Sequence, residues 1–134
     1  MRKTFFDAVV SIDSYHYFGN NDAYFQKVLK PTLKKGAIVA LAFPGMKNES
    51  HPNIPEEMKP LWDEESLQMW HSIDWWKPKF ETHLENFSIG EMDCFSRAWD
   101  DWFTCDNPYA AEDQLMIETD HGRFMNLIKL TGMM

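Results

Sequence analysis

The sequence predicts an α/β domain, a largely parallel sheet flanked by helices and interrupted by a helical insert. Three observations predict it. Two short apolar runs, Phe5 to Ile12 and Ala37 to Phe43, are nearly continuous, which reads as strands covered on both faces, as in parallel sheets. A segment with helical spacing lies between them. Beyond these runs, helical periods and two further strand-like stretches alternate, the order that builds a layered α/β fold.

Taken in order, the first run is the first strand. Asn20 or Asn21 then caps a helix in which Phe25, Val28, Leu29 and Leu33 fall at i, i+3, i+4 and i+8, with Pro31 and Gly36 closing it. Strand, helix, strand makes a βαβ unit, whose crossover is expected to be right-handed. Pro44-Gly45 ends the second strand. From Met46 to His71 the chain becomes Pro-interrupted, acidic and Trp-bearing, with helical pieces around Pro55–Leu61 and Asp63–Trp70, so residues 46–73 read as a helical insert or lid. A further helix is expected from Ser72 to Asp74 toward Asn86, with Trp76, Phe80, His83 and Leu84 near one face and Pro78 in or near its first turn. Phe87 to Met92 alternates like a half-buried strand, and Arg123 to Leu130 reads as a last strand after the Gly122 turn. Between them Ser96–Cys105 and Pro108–Thr119 are helical by period, the second with Asn107 as cap and Pro108 at its first position.

A length of 134 residues fits one domain, and 44% apolar with 15% aromatic residues supplies ample material for a core. The net charge of −8 disfavours nucleic acid and acidic membrane surfaces. That charge is uneven: residues 1–47 carry +4 and residues 48–134 carry −12. Cys94 and Cys105 match neither a CxxC spacing nor a secreted disulfide framework, so reduced thiols in the cytoplasm are expected. Asp7 and Asp13 interrupt the apolar stretch after Met1-Arg2-Lys3, which argues against a signal peptide, and no stretch is long enough for a membrane span.

The run Phe6-Asp7-Ala8-Val9-Val10-Ser11-Ile12-Asp13-Ser14-Tyr15-His16-Tyr17-Phe18-Gly19 resembles the fourth strand and following loop of class I S-adenosylmethionine-dependent methyltransferases, particularly those near the cyclopropane-fatty-acid synthase branch. Val28-Leu29-Lys30-Pro31, Gly36 and the apolar run after it are similar to that family's helix, turn and fifth strand. Ser72-Ile73-Asp74-Trp75-Trp76 looks like the start of its later helix, and Phe124 to Gly132 like its last, antiparallel strand. The resemblance implies a partial Rossmann-like methyltransferase sheet, the C-terminal half only, in a single domain of about four strands with flanking helices and a helical insert. It also implies S-adenosylmethionine as cofactor and a small-molecule or lipid-like methyl acceptor. One part of the family's pattern has no match. The Gly-rich cofactor loop requires closely spaced glycines, and Gly19, Gly36, Gly45, Gly90, Gly122 and Gly132 never form GxG. The chain is therefore expected to be inactive alone. Its first strand lacks the neighbour it has in the family, and is expected to form an exposed edge through which two copies pair as a homodimer. The alternative is a cofactor-free dimeric module that binds an apolar ligand or protein partner.

Ligands of open α/β sheets bind beyond the C-terminal ends of strands, which is where Asp13 to Tyr17 stand. In the family this loop borders the methyl group and the acceptor. On that resemblance Asp13 and Ser14 are cofactor-binding candidates, and His16 and Tyr15 the chemical participants, His16 as a base or an orienting group. The fatty-acid branch has a Glu-His pair where His16-Tyr17 stands, so its acceptor chemistry does not carry over. Tyr17, Pro44, Gly45, Met46, Trp70 and Trp75 are the substrate-binding candidates. Trp62 and Trp76, with Met58 and Met69, extend the same apolar wall. The competing reading makes these aromatics core residues and His16 a solvated loop residue. His51, His71, His83 and His121 show no ligand spacing, so no metal site is expected. Glu64-Glu65 and Asp100-Asp101 read as exposed helix faces, and Cys105 has no histidine near it in sequence.

Overall fold

The central strand, β2, runs over Leu33–Met46. Residues 4–21, 23–49, 54–62 and 64–134 are described by the computed structural model. On one side of β2 lies β1 (Phe6–Ile12), parallel to it; on the other lies β4 (Met125–Met133), antiparallel, with β3 (Glu85–Glu91) beyond. The order is β1-β2-β4-β3, so the expected α/β sheet with its last strand antiparallel is present. Five helices accompany it among the described residues: α1 (Tyr15–Gly19), α2 (Glu64–Met69), α3 (Ile73–Trp76), α4 (Phe95–Phe103) and α5 (Ala110–Asp120). None is long and apolar enough to cross a membrane.

Alternation along β2 decides which face is core. Ala37, Val39, Leu41 and Phe43 are buried in one cluster with Tyr15, Phe25, Trp76, Phe80, Leu84, Ile128 and Leu130. A second cluster, Met46, Ile54, Met58, Trp62, Met116 and Met125, fills the space under the insert and α5.

Several expectations are corrected. The first strand is not covered on both faces: Phe6, Val10 and Ile12 are 57%, 66% and 74% exposed, because β1 is an edge and only its Val9 side meets the core. The long helix expected after Asn20 is instead a π-helical turn at Phe25–Leu29 and a 3₁₀ turn at Lys30–Thr32, preceded by the short α1, while Leu33 already belongs to β2. Pro31 has no N–H to continue a helix, and the wider π turn brings Phe25 and Leu29 to one side while Val28 turns outward. Gly36 lies within β2 at φ +81°, where three extra residues bulge between the Phe6–Leu33 and Ala8–Ile38 pairs.

Pro44-Gly45 does not end the strand. Both residues continue the β4 pairing, opposite Leu127 and Asn126. The Met46 N–H points away from β4 to the His71 carbonyl, and by alternation the Pro44 nitrogen faces that same side, where β1 has already stopped opposite Ala42. A proline there forfeits no ladder bond. The helix begun at Ser72 is also shorter than expected. The helix starts within the expected stretch, with Ser72 as its cap accepting the Trp75 N–H, but Pro78 converts the chain to a 3₁₀ turn at Lys77–Lys79 and β3 begins at Glu85. His83 leaves the buried face and meets Lys30, Nδ1 to Nζ at 3.1 Å. At α5 the Asn107 side chain accepts the Tyr109 N–H, and the helix starts at Ala110, two residues after Pro108. His51, Asp63 and Met1 to Lys3 lie outside the described residues.

Candidate functional site

A cleft of about 800 Å³ opens at the C-terminal ends of the parallel strands β1 and β2. Its floor is Ile12, Ala42, Phe43 and Pro44 from the strands with Leu127 from β4. One wall comes from the insert (Leu61, Trp62, Met69, Trp70), the opposite one from α4 and α5 (Trp99, Trp102, Glu112, Asp113, Met116).

The insert is latched where β2 ends. Met46 bridges Ser72, the His71 carbonyl takes the Met46 N–H at 3.0 Å, and the His71 ring stacks on Trp75 at 3.5 Å between centroids. Glu49 completes the latch, contacting His71 Nδ1 at 3.2 Å and accepting the Ser72 N–H. These hydrogen bonds, working against burial, hold the Glu49 carboxyl below its ordinary range.

Of the residues singled out in the sequence, Asp13, His16, Tyr17, Pro44 and Trp70 line this cleft, together with Trp62 and Met69. The others do not. Tyr15 is buried in the first core cluster against Phe43, Trp76 and Phe80, and burial raises its hydroxyl far above the usual range. Ser14 shares a hydrogen bond of 2.8 Å with Ser11. Gly45 packs against Ile128, and Met46 and Met58 belong to the second core cluster. Trp75 stacks on His71 with Lys79 Nζ over its ring at 3.7 Å, and Trp76 is core.

His16 is 1% exposed, and its Nδ1 has no hydrogen-bond partner among the described residues. Burial lowers its pKa to about 4, so the ring is neutral at pH 7. Its ring lies 4.1 Å from that of Tyr17, between centroids, and meets Trp70 edge to face. Asp13 sits beside it with φ +55°, a left-handed conformation that aspartate tolerates better than most residues, while its N–H still bonds the Ala42 carbonyl. The contribution of α4 and α5 went unread in the sequence, although Trp99 with Trp102 and Asp113 with Met116 stand at i, i+3 on two helices. Trp102 donates its indole N–H to Asp113 at 2.8 Å. Desolvation is the leading cause that raises both Asp13 and Asp113, and the Asp113 charge adds to it at Asp13.

No family model and no curated protein sequence matches the chain. Solved structures do. Phosphoethanolamine N-methyltransferase 2 of Haemonchus contortus, in complex with S-adenosyl-L-methionine, superimposes at a TM-score of 0.67 with 15% identity, over 96% of this chain and 33% of that one. The same enzyme with phosphomonomethylethanolamine and S-adenosylhomocysteine gives 0.68 and 14% identity, over 99% and 34%. A candidate sarcosine dimethylglycine methyltransferase from Galdieria sulphuraria gives 0.65 and 12%, over 99% and 54%. This chain thus spans between a third and about half of those proteins. The chain has the Rossmann-like fold of class I S-adenosylmethionine-dependent methyltransferases, with a sheet of four strands that matches part of those proteins.

Proposed function

We propose that this chain supplies the acceptor-binding side of a methyltransferase and does not transfer methyl groups alone. The observation that carries the reading is His16, buried, uncharged and with an unpartnered nitrogen on a cleft at the strand ends. When bound, S-adenosylmethionine supplies an electrophilic methyl group. The residues of this chain fit the neighbourhood of that group but not a cradle for the rest of the cofactor. No glycine lines the cleft among the described residues, and at Gly19, Gly45 and Gly132 the missing Cβ is taken up by packing against Tyr15, Ile128 and Leu84.

In this reading Asp13 and Ser14 border the cofactor, while Tyr17, Pro44 and Trp70 hold a small-molecule or lipid-like acceptor. His16, uncharged and with a free ring nitrogen, orients the nucleophilic group of the acceptor, and Tyr15 acts as a positioning residue behind it. The insert at 46–73 keeps water from the cleft. The free Cys94 and Cys105 suit the reducing cytoplasm proposed for the chain. Two copies pair through β1.

Calorimetric titration of S-adenosylhomocysteine into the full chain tests this. Weak, millimolar binding that Asp13→Ala removes is expected, because only one side of the site is present. Saturable micromolar heat overturns the reading that these residues supply only the acceptor side. Absence of heat at millimolar ligand favours the cofactor-free binding module, a reading that the lack of a glycine cradle supports.

A further inference from the structure

Resting on that reading of the cleft, we propose that its ligand is a small organic ammonium compound, gripped by Asp13 and Asp113 among aromatic rings and carrying an oxygen that accepts a hydrogen bond. The charges that line the cleft are all negative: Asp13, Glu112 and Asp113, with no lysine or arginine among the described lining residues. The carboxylate of Asp13 makes no hydrogen bond or ion pair with any described residue, whereas Asp113 is fixed by the Trp102 indole N–H. Desolvation raises the cost of ionising both carboxylates, the Asp113 charge adds to it at Asp13 and the Glu112 charge at Asp113, and a cation placed between them relieves it. An apolar acceptor would leave that cost uncompensated.

The surrounding rings point the same way. Tyr17, Trp70, Trp102 and Tyr109 all line the cleft, and their π faces attract a weakly hydrated ammonium in a way that aliphatic walls do not. A bare metal ion would instead call for a closed shell of oxygen ligands and gains little from indole.

Three buried polar atoms, Trp62 Nε1, His16 Nδ1 and Trp99 Nε1, supply an independent indication that a ligand belongs there. Trp62 is 6% exposed, lines the cleft, and its Nε1 has no partner among the described residues. Indole N–H is a donor only, so its partner must bring an acceptor atom, which an oxygen supplies. His16 Nδ1 is the second such atom, on the same cleft. Buried polar groups left unpaired cost stability, and a ligand with an oxygen near its ammonium group satisfies them while its charge meets the carboxylates.

The experiment titrates choline, and separately its uncharged isostere in which carbon replaces the ammonium nitrogen, into the full chain, read by calorimetry and tryptophan fluorescence. Choline is expected to bind at least about tenfold more tightly than the isostere. Asp113→Asn, which keeps an oxygen for the Trp102 indole, and Asp13→Asn at the cleft rim each abolish the preference. The second variant keeps the test alive should the first fail to fold. Equal binding of the two ligands, binding of neither, or a preference that survives both variants overturns the proposal. The S-adenosylhomocysteine titration separates the two readings. Choline preference without cofactor binding supports the ammonium site while the methyltransferase reading fails, and cofactor binding without the preference overturns the ammonium site alone.

Discussion

Folding strips His16 of the charge it carries in acid. Burial is the cause, and it brings the pKa to about 4 from the ordinary value of about 6.5. Between those values the unfolded chain binds a proton that the folded chain refuses. The stabilisation is therefore complete above about pH 6.5 and is lost as pH falls toward 4, by about 3 kcal/mol in all. His83, lowered by burial and then by Lys30, acts in the same direction from an accessible position. The raised Asp13 and Asp113 act oppositely, since their folded form favours the neutral acid, and they offset part of the loss at the acid end. Urea unfolding is expected to show the wild-type chain losing about 2 kcal/mol between about pH 7.5 and 5, and His16→Gln losing clearly less. An equal loss in both chains would place the acid sensitivity elsewhere. The position of His16 after a strand end was legible in the sequence. Its burial was not, because that comes from Trp70 and Tyr17 closing over it, and contacts between the insert and the strand ends leave no local pattern.

At the scale of elements, the strands were legible and the helices between them only in part. Long runs such as Ala37 to Phe43 announce themselves by β-branched and apolar content, but β2 extends three residues further because β1 has stopped before Pro44. That depends on a neighbouring strand, not on local preference. The breaks at Pro31 and Pro78 follow the missing N–H, yet both prolines sit in 3₁₀ turns that a helical period also accommodates. Where α5 hands over to β4, Asp120 does what no periodicity reveals. It is fully buried, and its two carboxylate oxygens accept the N–H groups of Phe124 and Met125 at 3.0 and 3.2 Å. Replacing it by alanine orphans both donors, one of them at a buried residue, so Asp120→Ala is expected to cost about 2 to 4 kcal/mol in chemical denaturation. Asp120→Asn retains one acceptor oxygen and is expected to cost less. Equal costs for the two would mean that the side chain matters by its volume and not by its bonds.

On the scale of the whole molecule, the sheet ends in an unfinished edge. Among the described residues β1 is hydrogen-bonded on one side only, and Phe6, Val10 and Ile12 stand exposed on the face opposite the first core cluster, with Ile38 of β2 beside them. Natural edge strands are usually short, charged or covered; here Asp7, ion-paired to Lys34, is the one charge within β1. In the proposed dimer, two copies related by a two-fold axis pair β1 with β1 antiparallel and satisfy the open N–H and C=O groups. Light scattering at micromolar concentration is expected to give the mass of a dimer. Lysine on an edge resists such pairing, so Val10→Lys combined with Ile12→Lys is expected to give a monomer with an unchanged far-ultraviolet spectrum, since neither side chain contributes to a core cluster. A wild-type monomer would remove the dimer from the account and leave the edge for a strand of another polypeptide. A dimer that survives both lysines would place the interface away from β1, and the cleft, which lies beyond the end of that strand, would then face a different neighbour.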